Sequence, residues 1–270
     1  DITLIGGEKS VTKYQEQKFT KTSTEQKPQE KPEDKPVEKP ENKPEEKPTD
    51  KPEDKKSEEK PQEPEKPSEP EEKPEENSKE LLDVDSPELS AKEKELIKLV
   101  NDYREQHGKK RLKVSKSLMK VARTHINDLN MNFDMDNPPV DARGIKGNMH
   151  SWSDKGNWTP VVYTDDHEYS NLMHIKPKEL TGYNQSGNEI AVNGFMITPQ
   201  RALKSWQNSP GHNDVILSQN KWSDPTPEEE ENGFTGLSNM GVAINGNYAC
   251  VWFTHNDNGI MDPMGYYEFN

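Results

Sequence analysis

The sequence has a single cysteine among its 270 residues and no long apolar run. One cysteine excludes a disulfide framework within the chain. Cys250 lies between Ala249 and Val251, and we expect it to be a small buried hydrophobic side chain rather than a reactive thiol. No segment approaches the roughly 20 apolar residues that a membrane-spanning helix needs, so we expect no transmembrane segment in this chain.

Net positive charge and a secretory signal are also missing from the sequence. The formal net charge is −14 at pH 7 with neutral histidines. Since binding to nucleic acid phosphates depends on clustered lysine and arginine, this acidic balance argues against a nucleic acid partner. The chain begins at Asp1 without a methionine, so we expect a processed form or the end of a longer protein.

Hydrophobic residues are almost absent from residues 26–76, where Val37 is the one aliphatic side chain and no aromatic occurs. A tetrapeptide repeat runs from Lys27-Pro28-Gln29-Glu30 through Lys51-Pro52-Glu53-Asp54. Such a segment cannot bury enough apolar surface to offset its ordering entropy, and its prolines favour the extended polyproline II conformation. We therefore predict a disordered stalk of Pro, Lys and Glu over residues 26–80, with a reach on the order of 150 Å.

The stalk divides the chain into three predicted parts. Residues 1–25 are expected to be either the end of an upstream module or unstructured. Residues 26–80 form the linker, for which an inert spacer is favoured over a ligand for a proline-reading domain, because hydrophobic and aromatic residues are missing beside the prolines. Residues 81–270 contain all five tryptophans and form the one folded domain.

Helix signals open this domain. Ser90-Ala91-Lys92-Glu93 has the spacing of a capping box, and apolar residues follow at helical intervals up to Gly108. Ser115 can cap a second helix, which carries His125 within its apolar stripe. We interpret His125 as a core or rim histidine with a hydrogen-bonded partner. Thr198-Pro199 predicts the start of a third helix, with Ala202, Leu203 and Trp206 on its apolar face.

A β-hairpin is predicted near the C-terminus. Met240–Ile244 and Asn247–Thr254 flank Asn245-Gly246, a dipeptide that suits a type I′ turn. Both faces of the second strand are apolar, so we expect helices to cover the hairpin on two sides. The predicted fold class is α+β, a three-layer α-β-α sandwich with a central antiparallel sheet.

Three polar residues stand out in separated segments: His150 in Met149-His150-Ser151, Glu189 in Gly187-Asn188-Glu189-Ile190-Ala191, and His212 in Ser209-Pro210-Gly211-His212. The order of these motifs, with the helices before them and Met240-Gly241-Val242-Ala243 after them, resembles the CAP superfamily. This superfamily includes cysteine-rich secretory proteins, venom antigen 5 and plant pathogenesis-related proteins. The Ser-Pro-Gly-His run is similar to the bacterial, SCP-like branch.

The resemblance implies an α-β-α fold with a cleft formed by two histidines and acidic residues. By motif, His150 matches the first histidine, Glu189 the glutamate and His212 the second histidine. The order Gly-Asn-Glu departs from the usual Gly-Glu-Asn, and a second glutamate of eukaryotic members has no clear match. We expect His150, Glu189 and His212 to line the cleft and to be the candidate ligands of a divalent metal such as zinc.

Several functions remain open at this point. We favour a secreted or cell-surface module that binds a small ligand, lipid, peptide, glycan or metal without turnover. The alternatives are a metal-dependent hydrolase acting on peptide or cell-wall material, and a purely structural domain associated with the cell wall. No nucleophile is apparent, since Ser209 need not meet His212, and no catalytic residue is assigned. Binding is therefore expected ahead of catalysis.

Overall fold

A computed structural model of the chain describes residues 80–268. The predicted upstream segment 1–25 lies outside the described residues, and so does the predicted stalk 26–80 except for its last residue. Among the described residues no helix is both long enough and apolar enough to cross a membrane.

The described residues form an α+β fold, as the sequence predicted. The first half contains α1 (Ala91–Gln106), β1 (Lys113–Ser115), α2 (Lys116–Asn132), α3 (Ser170–His174), α4 (Lys176–Thr181) and β2 (Asn188–Asn193). The second half contains α5 (Pro199–Gln207), α6 (Pro210–Ile216), α7 (Pro227–Glu231), β3 (Asn239–Asn245), β4 (Tyr248–Thr254) and β5 (Tyr266–Tyr267). Two short 3-10 turns lie at Asn220–Trp222 and Asp257–Gly259.

The five strands form one sheet in the order β2-β4-β3-β1-β5. The pairs β2–β4, β3–β4 and β1–β5 are antiparallel, whereas β1 pairs with β3 in parallel. The predicted antiparallel pairing therefore holds for the central strands β2, β4 and β3, and β1 adds one parallel pair with β3. β1 was not predicted, because its three residues are too few to show the alternation of a strand.

Helices cover both faces of this sheet, which gives the predicted three layers. One core cluster joins α1, α5 and α6 to the strand residues Ala249, Val251 and Phe253. The other joins α2 and the long loop before α3 to Tyr248, Cys250 and Trp252. The alternation of β4 between its two apolar faces is therefore confirmed, and the strand is buried on both sides.

The helix starts follow the capping rules read from the sequence. Ser90 and Glu93 form a complete capping box at α1. The Ser115 hydroxyl accepts a hydrogen bond from the Leu118 amide at 3.0 Å, and Thr198 caps α5 in the same way. These caps satisfy backbone N–H groups that have no partner within the helix.

The hairpin forms with a turn one residue later than predicted. Asn245 pairs with Tyr248, so the two turn residues are Gly246 and Asn247 rather than Asn245 and Gly246. Gly246 has a φ of 55°, and Asn247 has a negative φ. Glycine alone at the first central position is the pattern of a type II′ turn, not of the predicted type I′ turn.

Gly241 lets α2 approach the sheet at the centre of this hairpin. A Cβ atom at Gly241 would lie 2.2 Å from the Leu118 carbonyl carbon and 2.4 Å from the Met119 nitrogen. Both are backbone atoms and cannot rotate away. The helix that carries His125 therefore packs directly on β3. This brings His125 to the face of the sheet on which the Glu189 side chain lies.

Candidate functional site

Glu189 is the centre of the candidate site. It is the second residue of β2 and is paired with Trp252 on β4. Its side chain is fully buried. Both carboxylate oxygens accept hydrogen bonds, one from His125 and one from His150.

His125 approaches Glu189 from the apolar stripe of α2. Its Nδ1 lies 2.5 Å from Glu189 Oε1, and its Nε2 lies 3.0 Å from the Ser151 carbonyl oxygen. Because both neighbours are acceptors, both ring nitrogens must donate, and the ring is an imidazolium. Burial opposes this charge, but the Glu189 carboxylate outweighs burial and raises the pKa of His125.

The two imidazoles keep Glu189 ionised in a dry site. Burial alone would raise the pKa of this carboxyl, yet the charge of His125 and the hydrogen bonds from His125 and His150 lower it to about 2. Glu189 and His125 therefore form a buried ion pair, and Glu189 uses its second oxygen to hold His150.

His150 lies at the mouth of the site, with 19% of its side chain exposed. Its Nδ1 donates to Glu189 Oε2 at 2.7 Å, and its ring meets that of Tyr163 edge-on with centroids 5.1 Å apart. With the proton on Nδ1, the lone pair on Nε2 faces away from the carboxylate. A carboxylate that fixes a histidine in this way is the usual outer partner of a metal-binding imidazole.

His212 is the third residue of α6 and is half-buried. Neither of its ring nitrogens is hydrogen-bonded to another residue within 80–268. Burial lowers the pKa of His212, and the nearby His150 lowers it further, so its imidazole is neutral at neutral pH. The Ser209 hydroxyl makes no hydrogen bond to His212 among the described residues.

A further histidine, His174 at the end of α3, faces the same region. Its Nδ1 donates to the Gly187 carbonyl oxygen at 2.6 Å, just before β2 begins. Burial lowers the pKa of His174, with smaller contributions from His150 and His167. The sequence analysis did not single out His174, because nothing in its local pattern sets it apart from an ordinary polar helix residue.

His150 is hydrogen-bonded to Glu189, whereas His212 makes no hydrogen bond to either residue. The charge of His150 contributes to the lowered pKa of His212. Their role as a shared set of metal ligands stays a prediction. His125 is confirmed as a buried histidine with a hydrogen-bonded partner, although that partner is Glu189 itself. The burial of His125 could be predicted because the residue lies in the apolar stripe of α2, which faces the sheet.

One group of three residues within 80–268 has ligand atoms close enough to hold a metal ion: His125, Glu189 and Cys250, all within 4.8 Å of one another. The chemistry of these groups does not fit a metal. An imidazolium has no lone pair to give, and burial raises the pKa of the Cys250 thiol well above its ordinary value. By contrast, no hydrogen bond to another residue within 80–268 is made by His150 Nε2 or by the His212 ring.

A loop braced by charged groups forms the wall behind His125. Trp152 stacks on the His125 ring with centroids 4.3 Å apart and an angle of 6°. The buried Lys176 ammonium lies 5.4 Å from the Trp152 ring and donates to the Thr159 carbonyl and to Glu179. The Trp152 ring is thus in contact with two cationic groups, and a cation over an aromatic face is stabilised by the ring.

The described residues thus form an α-β-α sandwich domain with a histidine–glutamate cluster at its edge strand β2. The sequence profile of the cysteine-rich secretory protein family, CAP, matches residues 97–221. This part of the chain is therefore similar to the CAP family, which confirms the resemblance predicted from the motifs. No curated protein matches the chain significantly.

Two solved structures resemble the chain. An outer surface protein from Borrelia burgdorferi is 17% identical, with a TM-score of 0.36, over 62% of this chain and 95% of its own. A cysteine-rich secretory protein from Staphylococcus aureus is 16% identical, with a TM-score of 0.33, over 59% of this chain and 36% of its own. At TM-scores below 0.5, neither likeness supports a functional assignment.

Proposed function

We propose that this protein is a secreted or cell-surface CAP-like module whose cleft binds a divalent metal ion, such as zinc, or a small ligand. The single observation that carries the proposal is the hydrogen bond from His150 Nδ1 to Glu189, 2.7 Å long, which leaves His150 Nε2 available. His212, neutral and without a hydrogen bond inside the described range, is the second ligand. In this proposal the Pro-, Lys- and Glu-rich repeat of residues 26–80, which lies outside the described residues except for Glu80, serves as a spacer between the module and a surface.

Glu189 has a positioning role in this proposal rather than that of a direct ligand. Its two oxygens are already occupied by two imidazole donors. The carboxylate fixes the tautomer and orientation of His150. The His125 imidazolium balances the charge of the carboxylate in the protein interior.

Binding is favoured over catalysis by the same geometry. A metal-dependent hydrolase needs a general base beside the metal-bound water, and both oxygens of Glu189 already accept hydrogen bonds from His125 and His150. A bound ion would supply Lewis acidity. The residues of the chain would hold the ion and orient the histidine that binds it. A small organic ligand, such as a lipid, peptide or glycan, would meet the rings of His150 and Tyr163 at the entrance.

Zinc titration of the full chain by calorimetry tests this proposal. We expect one site, with His150→Ala and His212→Ala each weakening binding by roughly tenfold or more. His107→Ala is the matched control, since His107 is exposed at the end of α1 and should not change the affinity. Equal binding by all four proteins, or no binding of zinc by the wild type, would contradict metal binding at this cleft.

A further inference from the structure

A second concave surface lies away from the histidine cleft, between α1 and the edge of the sheet at β1 and β5. It encloses about 400 Å³ and is lined by Asn101, Arg111, Leu112, Lys113, Val114, Tyr266 and Tyr267. We call this surface the β1–β5 groove. Its volume lies in the range of small-ligand sites.

The groove is the basic part of an acidic protein. Residues 108–125 contain seven lysines and arginines and no aspartate or glutamate, although the whole chain has a net charge of −14. The net charge of the whole chain therefore conceals a positively charged segment. A positive patch within a negative surface attracts an anion at short range and leaves other surfaces repulsive to it.

Three cations of this segment have no acidic partner within the described range: Lys110, Lys113 and Lys116. By contrast, Arg111 is paired with Asp102 at 2.7 Å and with Glu105 at 3.1 Å. The unpaired lysines, rather than Arg111, therefore carry the net charge that a ligand would meet.

Two of these lysines contact tyrosines that line the groove: Lys113 lines it as well, and Lys116 lies beside it. The Lys113 ammonium lies 5.4 Å from the Tyr266 ring centre, and the Lys116 ammonium lies 5.5 Å from that of Tyr267. The Tyr267 hydroxyl donates to the Ser86 carbonyl, and the Tyr266 hydroxyl accepts from the Asp262 amide. With both hydroxyls fixed, the rings are rigid supports, and the ammonium groups lose less freedom when they bind an anion.

The groove has positive charge but lacks open aromatic faces and exposed apolar side chains, and both properties limit what it can bind. Single-stranded nucleic acid needs open aromatic faces on which bases stack, and here an ammonium group already covers each tyrosine ring. An anionic membrane needs apolar side chains that insert, but Leu112 and Val114 are buried. A flexible chain with regularly spaced anionic groups and hydroxyls fits a concave surface with spaced ammonium groups.

We propose that the β1–β5 groove binds a linear acidic polysaccharide, with Lys113 and Lys116 contacting successive anionic groups and Lys110 extending the contact. This site is independent of the histidine cleft and of zinc. It would provide a second point of attachment for a module held on a stalk.

The proposal is tested with the full chain and polygalacturonate, a linear carboxylated glycan, in affinity electrophoresis and calorimetry. The methyl ester of the same polymer is the uncharged control ligand. We expect binding of polygalacturonate, weakening from 50 to 300 mM salt, and no binding of the ester. The variant Lys113→Gln/Lys116→Gln should weaken binding roughly tenfold, because two exposed charge contacts are lost.

The matched control is Lys178→Gln/Lys204→Gln, which removes the same charge from exposed positions on α4 and α5. It should change the affinity less than twofold. Equal losses in both variants would show a non-specific charge effect and overturn the proposal, and so would the absence of wild-type binding. Tighter binding of single-stranded DNA or anionic vesicles through the same two lysines would also overturn it.

A measurement on the wild type covers the case in which the variant folds poorly. In two-dimensional NMR spectra, polygalacturonate should shift the signals of Lys113, Tyr266 and Tyr267 and leave those of His150 and His212 in place. Shifts centred on the histidine cleft instead would contradict a separate site. Loss of zinc binding in His150→Ala with polygalacturonate binding retained would separate the two proposals.

Discussion

His125 Nδ1 lies 2.5 Å from Glu189 Oε1, and neither side chain is exposed to solvent. This contact joins α2 to the edge strand β2 across 64 positions of the chain. Taking both charges out of water is costly, and it is tolerated here because each charge has further hydrogen bonds: His125 to Ser151, and Glu189 to His150. The exposed part of the site therefore depends on an ion pair beneath it.

Removing the negative charge from this pair should destabilise the domain strongly. In Glu189→Gln, the His125 imidazolium stays buried without its counter-charge, and the amide N–H faces one of the two imidazole donors. We expect the free energy of unfolding to fall by about 3–5 kcal/mol in urea denaturation. Glu105→Gln, at an exposed surface pair, should change it by no more than about 0.5 kcal/mol. A loss below about 1 kcal/mol for Glu189→Gln would mean that the pair is not charged.

The same pair predicts how stability depends on pH in the metal-free protein. The Glu189 pKa falls from 4.5 to about 2 on folding, so its contribution is present above about pH 4.5 and is lost as the pH falls toward 2. The His125 pKa is raised from 6.5, so its contribution is complete below about pH 6.5 and is lost as the pH rises through the folded-state value.

Urea denaturation in a chelating buffer between pH 2.5 and 9 measures this dependence. We expect the contribution of the pair to be largest between about pH 4.5 and 6.5 and to decline on both sides. His125→Gln should lose the decline on the alkaline side. A wild-type stability that rises steadily from pH 6.5 to 9, with the same slope in His125→Gln, would contradict a charged His125.

Much of the scaffold could be predicted from local sequence, and the charge network could not. Some features depend only on neighbouring residues, so their patterns are visible in the sequence. These are the capping box at Ser90, the helix start at Thr198-Pro199 and the two apolar faces of β4. The link from His125 to Glu189 depends on how closely α2 approaches the sheet. That distance is set by Gly241, whose role depends on packing rather than on local sequence.

A substitution at Gly241 tests this close approach. Gly241→Ala would place a methyl group within 2.5 Å of three backbone atoms of Leu118 and Met119. We therefore expect the free energy of unfolding to fall by about 3 kcal/mol or more, or the variant to fail to fold. Gly211→Ala is the control, because a Cβ there meets nothing within 4 Å and alanine favours a helix. Thermal melting of both variants decides the matter, and equal melting temperatures would contradict the packing described.

The clamp formed by Lys176 and Glu179 on the loop behind His125 can be tested by a double-mutant cycle. Lys176 donates to the Thr159 carbonyl, while Glu179 accepts from the Thr159 amide and from Lys176. Lys176→Met and Glu179→Gln, alone and together, should show a coupling of roughly 1 kcal/mol, since Glu179 is partly exposed. Strict additivity of the two substitutions would show that the pair does not act as a unit.

The thiol of Cys250 provides a simple probe of the core beneath the site. Its burial raises its pKa, and it lies within the group of His125 and Glu189. We expect no reaction with a thiol reagent in the native protein and full reaction in denaturant. Rapid labelling of the native protein would mean that this part of the core opens readily to solvent.

The most direct test of the account is the protonation of the histidine rings, observed in long-range ¹H–¹⁵N spectra of the metal-free protein at neutral pH. We expect His125 to carry protons on both ring nitrogens and His150 to carry its proton on Nδ1. Added zinc should shift the signals of His150 Nε2 and of the His212 ring, while those of His125 stay unchanged. A neutral His125, or zinc-dependent shifts at His125 with none at His150, would contradict it.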